Sequence, residues 1–537
     1  MLSYRKLAMR VLGHPLHTGG IDSPRPASQR AAAFILTAAM LTTLAAPAFA
    51  DIWHIENGDI TISAGESGNN VTQNNNTTYG DTNTIITNQN KDTASSHTVT
   101  IEAKDKDDKV EVTLKDVNID TSSRNKAAVS VTGEGDTNIK LDGDNALKSD
   151  TYRSGIYGSG SGSLTISGGE NDSLTAQGGS GANGISSSGS LTISGGTVTA
   201  NGDDGGRGIS SSGSVTISGG STVTANGGSG TISGGDGIWS GGGVTISGGS
   251  TVTANGGNGG SLVGGDGIRS GGGLTVSDGT VTAKGGNGDS KDGYGGDGIR
   301  SGGVVTISGN TVNAAGGYGG KVGGYGICSF DRVAISGGTV EAAGGNGSTG
   351  GGSGIYSSVI DLSGSLELTA KAGSPNGKAL SQNGSELVLD TIKDKLGPGA
   401  KVTATDADGK VIDQVSTPRP VEPEESSSSS DGGSAAPSAP ASPLPGLTVT
   451  DKDGQHISYT STQSGNTLTV CVGRFTASFR ISLAALRQLR AEGIETITFQ
   501  TVLCSTTLSV DELLAMGGED AEAVLTHRFT DSSLTVG

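Results

Sequence analysis

Residues 184–200 read Gly-Ile-Ser-Ser-Ser-Gly-Ser-Leu-Thr-Ile-Ser-Gly-Gly-Thr-Val-Thr-Ala, and this phrase decides the fold. It returns with small changes at 208–225, 237–254, 267–283, 298–314 and 326–342, with looser copies starting at Gly155 and Gly354. From each anchor Gly to the next apolar position is seven residues, as from Gly184 to Leu191 and from Gly298 to Val305. From there to the Val of Thr-Val-Thr is seven or eight, as from Leu191 to Val198 and from Val215 to Val223. The remaining leg absorbs all the variation, from ten residues (Val198 to Gly208) to seventeen (Val281 to Gly298). Two legs of fixed length and one of variable length describe stacked coils whose loops project on one side.

The fixed legs alternate apolar and hydroxyl residues, as in Leu191-Thr192-Ile193-Ser194, which is the period of a half-buried strand. Runs of about four residues between glycines are too short and too Gly-rich for helix. Gly195-Gly196, Gly219-Gly220 and Gly248-Gly249 supply corners with positive φ. The expected fold is mostly β: a right-handed parallel β-helix, followed by a Pro/Ser-rich linker and a small α+β C-terminal domain. Its inward columns are Ile185/Ile209/Ile238/Ile268/Ile299/Ile327, Leu191/Val215/Val244/Leu274/Val305/Val333, Ile193/Ile217/Ile246/Val276/Ile307/Ile335 and Val198/Val223/Val252/Val281/Val312/Val340. Composition alone, with 95 glycines, describes a disordered Gly/Ser linker. Aliphatic residues that keep register through unequal loops contradict it.

Five regions follow. Residues 1–50 form a signal peptide: a basic start (Arg5, Lys6, Arg10), an apolar run at 31–46 and the small-x-small motif Ala48-Phe49-Ala50. Residues 51–150 are irregular coils and a cap, with strands at Ile60-Thr61-Ile62, Val99-Thr100-Ile101, 110–114, Val129-Ser130-Val131 and Ile139-Lys140-Leu141, and a polar stretch at 69–90 that loops out. The regular repeats fill 151–415, with closing strands at 386–390, 401–405 and 410–415. Residues 416–446 are the linker, rich in Pro and Ser. Residues 447–537 are the terminal domain, with strands at 447–449, 467–472 and 496–501, an amphipathic helix at 482–492 and a short helix at 510–514. The signal peptide implies a secreted chain with no membrane span after cleavage.

The net charge of −18 excludes a general nucleic-acid binder, since phosphate contact needs clustered Lys and Arg. Of three cysteines, Cys471 and Cys504 either pair or stay free, and Cys328 stands alone in the repeats. No His lies between Thr98 and Gln455, so the repeats hold no His-based nucleophile relay and no His-ligated metal. The expected role is therefore non-catalytic.

Stacking turns sequence positions into columns. The residue after Gly-Ile points outward, and that column reads Tyr157, Ser186, Ser210, Trp239, Arg269, Arg300, Cys328, Tyr356. Trp239 and Tyr356 offer aromatic faces to a sugar ring, and Arg269 and Arg300 offer planar forks to a carboxylate. These four are the candidate ligand-binding residues, and an extended uronate-containing polysaccharide suits them. The plainer alternative pairs both arginines with nearby Asp and has Trp239 cover a loop. The residue before Gly-Ile gives Asn183, Arg207, Asp236, Asp266, Asp297, Tyr325, Ser353. Asp236, Asp266 and Asp297 are candidate Ca²⁺ ligands, or else turn caps and counter-charges to the arginines. Thr192/Thr216/Thr245/Thr275/Thr306 form an outward hydroxyl row, ordinary for a sheet surface.

The repeat phrase resembles that of a family of secreted bacterial carbohydrate-binding-domain proteins. The resemblance covers residues 155–370 and implies a parallel β-helix that binds pectic or cellulosic polysaccharide, with Ca²⁺ in some members. Residues 508–515, Leu-Ser-Val-Asp-Glu-Leu-Leu-Ala, resemble small α+β modules at the ends of secreted bacterial surface proteins, which implies a protein partner for the terminal domain. Two further readings stand beside glycan binding: a structural or adhesive stalk with no sugar site on the solenoid, and a polysaccharide lyase built on Asp236, Asp266, Asp297, Arg269 and Arg300.

Overall fold

A computed structural model describes residues 51–418 and, with short gaps, 446–536. The expected signal peptide at 1–50, most of the linker and Cys504 lie outside the described residues. The chain divides into two units, at 1–423 and 424–537.

The first unit is a β-solenoid of about 13 turns, built from stacked parallel coils. The anchor strands Ile185–Ser187, Ile209–Ser211, Ile238–Ser240, Ile268–Ser270 and Ile299–Ser301 pair in parallel with Ile over Ile. The second legs stack as Leu191, Val215, Val244, Leu274 and Val305. The third legs form their own sheet with Val198, Val223, Val252, Val281 and Val312 in register. All these side chains are fully buried or within a percent of it. Full burial of one such side chain stabilises by roughly 1.5–3 kcal/mol. Because every coil repeats the contact, the core is thin but unbroken. Both residues of the Gly248-Gly249 corner have positive φ, +63° and +71°, as the turn between the second and third legs requires.

A polar column also points inward. Ser211, Ser240, Ser270 and Ser301 are buried. Their hydroxyls donate to the carbonyls of Gly189, Gly213, Gly242 and Gly272 at 2.8–3.0 Å. A buried hydroxyl is tolerated when it is bonded in this way.

The variable leg is more ordered than a set of loops. Its glycines form one chain of N–H to C=O bonds along the axis. Gly228 donates to Gly206, Gly235 to Gly228, Gly257 to Gly235, Gly265 to Gly257, Gly286 to Gly265 and Gly296 to Gly286, all at 2.7–2.9 Å. The zigzag crosses the neck of each loop and then climbs to the next coil. Parallel bridges Gly230–Gly259, Gly259–Gly288 and Gly288–Gly319 stack the loops further out. There is no room for a side chain here: a Cβ on Gly265 would meet the carbonyl oxygen of Gly235 at 1.9 Å, and one on Gly296 that of Gly265 at 2.0 Å.

Both ends are closed by antiparallel strands. Ile60–Gly65 pairs in parallel with Val99–Ala103 on one side. On the other it pairs antiparallel with Gly68–Gln73, which turns back into Asn76–Asp81. The stretch expected to loop out is thus a hairpin over the open edge, followed by the strand Thr84–Thr87. Asn74 and Asn75 take the left-handed turn conformation, φ +53° and +62°. Buried Asn69 and Gln73 satisfy backbone carbonyls of Glu111, His54 and Gly58. At the other end Val411–Ser416 folds back on Lys401–Thr405. Of the closing strands expected, the segment near 386–390 differs: Ser385–Glu386 is a short strand, and Leu389–Lys395 turns helical and buries Leu389 and Ile392. Each end coil thus pairs with an antiparallel strand in place of a further coil, which stops the parallel stack.

Among the described residues the second unit has two four-stranded sheets and two helices. The helix Leu483–Ala491 is capped by Ser482, whose hydroxyl accepts the Ala485 amide at 3.2 Å, and it buries Leu483 and Leu486. Phe479 and Phe499 pack at 4.9 Å in its core. Strands Thr467–Cys471 and Thr496–Gln500 lie side by side in parallel, and the short helix is Val510–Met516. Among the described residues Cys471 has no disulfide partner, and its thiol lies 3.4 Å from Gln500 Oε1.

Candidate functional site

Each Gly-Gly-Asp-Gly-Ile turn joins the glycine corner to the aliphatic wall, so its Asp stands on the border between them. Asp236, Asp266 and Asp297 are stacked one coil apart and are 4–6 % exposed. One oxygen of each caps the next coil. Asp236 Oδ1 accepts the Asp266 amide at 2.9 Å, Asp266 Oδ1 the Asp297 amide at 2.7 Å and Asp297 Oδ1 the Tyr325 amide at 2.7 Å. Asn183 begins the row by accepting the Arg207 amide at 2.8 Å.

The second oxygens of Asp236 and Asp297 face arginines. Asp236 Oδ2 lies 3.2 Å from Arg207 Nε, and Asp297 Oδ2 lies 3.5 Å from an Arg300 terminal nitrogen. Burial pushes the Asp297 carboxyl up to about 6, with the Tyr325 amide and the Arg300 guanidinium pulling the other way. Burial, then the like charges of Asp297 and Asp236, hold Asp266 well above the usual carboxylate range. The three carboxylates therefore form a capping ladder, the arrangement set beside Ca²⁺ binding in the sequence. They do not converge on a point, because coil stacking holds them apart and half their oxygens are committed to amides. Among the described residues no three His, Cys, Asp or Glu side chains come together as a metal site.

In the outward column, Trp239 pairs with Arg269, Arg269 with Arg300, Arg300 with Cys328 and Cys328 with Tyr356. Their environments differ. Trp239 is half-buried, and the Arg207 guanidinium covers one face of its ring at 4.4 Å. Only the opposite face is left for a sugar. Tyr356 stacks on Tyr325 at 4.9 Å, with ring planes 18° apart, and lies away from the arginines' cavity. Cys328 is buried, and that burial pushes its thiol up to about 12. Arg300 sits over the ring of Phe330 at 5.3 Å. Arg269 is exposed and, among the described residues, joins none of the ion pairs or ring contacts that hold its neighbours.

Arg207, Arg269 and Arg300 share one groove of about 510 Å³ with Asp236 and Asp266. Much of the remaining lining is glycine backbone, including Gly206, Gly235, Gly265 and Gly296 of the axial hydrogen-bonded chain. Those backbone amides are already hydrogen-bonded, so the groove's charge is carried by the side chains along it. Arg207 was not among the residues singled out from sequence. Its signal was present: it occupies the Asp column one coil before Asp236. Trp239 does not line the groove; it braces Arg207, which does.

Among the described residues no helix is long and apolar enough to cross a membrane. Comparison of the chain with protein-family models, with curated proteins and with solved structures found no match.

Proposed function

We propose that the solenoid is a non-catalytic binding module for an extended acidic polysaccharide, with carboxylates held in the arginine groove. The observation that carries this reading is the meeting of three arginines from three coils in one open, glycine-floored groove on a chain of net charge −18. A planar guanidinium fork matches a carboxylate in geometry as well as charge. Arg269 is the anchor, because Arg207 and Arg300 are each held by an aspartate and an aromatic ring. The leader-like residues 1–50 support export, so that the ligand is met outside the cell. The terminal unit, with its own core, suits a separate partner protein.

The test is a glycan array probed with the full chain, alongside Arg269→Ala. Binding to uronate polymers, weakened on the order of tenfold by the substitution, is the expected result. A second reading rests on the pairing of Arg207 and Arg300 with their aspartates: the groove is then internal charge balance and the solenoid a stalk. No hit on the array, uronates included, selects that reading.

A further inference from the structure

The groove does not end at Arg207. A second cavity of about 220 Å³ is lined by Tyr152, Arg153, Ser154, Tyr157, Ala182 and Ser186, and it shares Gly181 and Asn183 with the larger one. Shared lining makes the two compartments of one trough. One column of paired residues runs past both, Tyr157 with Ser186, Ser186 with Ser210, Ser210 with Trp239, Trp239 with Arg269 and Arg269 with Arg300; its first two members line the second compartment and its last two the first. Five steps of about 4.8 Å make the trough roughly 24 Å long.

The chemistry of the second compartment is that of the first with the emphasis reversed. Two tyrosines dominate, and both are open: Tyr152 is 78 % exposed and Tyr157 44 %. The Tyr152 ring lies over the Gly181 backbone, where a Cβ would come within 2.8 Å of it. The ring therefore overhangs the junction between the compartments. Arg153 is oriented by its Nε donating to Asn125 Oδ1 at 3.2 Å, with its remaining donors unspent in that bond. Large open aromatic faces in a solvated cleft suit the apolar face of a pyranose ring, and the guanidinium again suits a carboxylate.

Resting on the reading above, we infer that Tyr152, Arg153 and Tyr157 form a second subsite, and that the trough takes one linear acidic oligosaccharide along the solenoid axis across both compartments. The ligand class is thus a chain that spans roughly 24 Å, not a monosaccharide or a chain end. Linking two contacts on one ligand makes the second intramolecular, so affinity rises with length until both compartments are filled.

Titration of the full chain by isothermal calorimetry with homo-oligogalacturonates of graded length tests this. Affinity is expected to climb with length and level off once the oligomer reaches both compartments. Arg153→Ala and Tyr157→Ala are each expected to erase that climb, a loss on the order of tenfold for the long oligomers, while Arg269→Ala weakens binding at every length. Circular dichroism of each variant checks that the coils are intact. Length-independent affinity, or long-oligomer affinity untouched by Arg153→Ala and Tyr157→Ala, overturns the second subsite and leaves the arginine groove standing. Absence of binding by any oligomer overturns both. Equal binding of a single-stranded oligodeoxynucleotide of matched length overturns the ligand class.

Discussion

The aliphatic wall and the glycine corner of each coil do the same task by opposite means. At the wall, Ile238, Ile268 and Ile299 hold neighbouring coils together by the volume they fill. At the corner, Gly235, Gly265 and Gly296 hold them by the volume they leave, which lets backbone bond directly to backbone. Apolar burial dominates the first, and satisfied amides in a side-chain-free space the second. Glycine is costly to order, so a corner built from it stands only because the wall beside it fixes the spacing. The groove exists for the same reason: a corner without side chains leaves a channel that only the flanking arginines and aspartates enter.

The sharpest way to break the comparison is to put a side chain into the corner. In Gly265→Val the new Cβ would lie 1.9 Å from the Gly235 oxygen, and the obstacle is backbone, which cannot swing aside. Prising two coils apart is expected to cost about 3 kcal/mol or more, the top of the range for overpacking. Urea unfolding followed by far-UV circular dichroism measures it. Gly249→Ala is the control. Its φ is +71° but nothing lies within 4 Å of the new Cβ, so only the left-handed backbone is taxed, by about 1–2 kcal/mol. Equal costs at the two sites would mean that the corner is not close-packed.

This contrast also explains what was legible in the sequence. The Ile and Val columns were, because their spacing survives unequal loops and a buried aliphatic residue has few other roles in so short a strand. The terminal helix was, within a residue at each end, because Leu483, Leu486 and Leu489 mark its face. The corner was not. Glycine in segments of varying length reads as loop, and nothing in composition separates a flexible glycine from one packed against its copy in the next coil. Arg207 was missed through the same blind spot, since what makes it a groove residue is the empty channel beside it. The row Asp236, Asp266, Asp297 is legible as a column, yet its use of one oxygen per amide depends on where the next coil's backbone passes, which the side-chain pattern does not encode. The hairpin at Gly68–Gln73 and Asn76–Asp81 looked like polar loop because only Val71 of its inward side chains joins the core, while Asn69 and Gln73 beside it bond carbonyls.

The aspartate row between wall and corner gives the next prediction. Asp297 carries a carboxyl raised by burial to about 6, from an ordinary value of 3.8. The folded state then holds that proton more firmly than the unfolded state does. Stability from this group is greatest below the unfolded value and is lost as pH rises through about 6. Asp297→Asn keeps an oxygen for the Tyr325 amide, as Asn183 does for Arg207 in the same column. The substitution is expected to raise stability at pH 8 by roughly 1–3 kcal/mol and to flatten the decline that this group causes between about pH 4 and 7. Urea unfolding at a series of pH values decides it. A variant less stable than the parent at pH 8 would show that the Arg300 pair outweighs the burial of the charge.

The smallest effect is expected inside the wall, where it sharpens the comparison. Ile268→Val removes one methylene from a column that is Ile in every coil from Ile185 to Ile355. The cost should be about 0.5–1.5 kcal/mol, part lost burial and part residual cavity, because Ile238 and Ile299 on either side are held in register and cannot close the gap. The neighbouring column behaves differently, since Leu274 already lies between Val244 and Val305. Leu274→Val should therefore be milder than Ile268→Val, because that site has accommodated the smaller side chain one coil away in both directions. If the two cost the same in urea unfolding, volume is not what keeps the Ile column uniform. Spacing between coils would then be set by the hydrogen-bonded glycines, and the wall would fill a gap whose width the corner dictates.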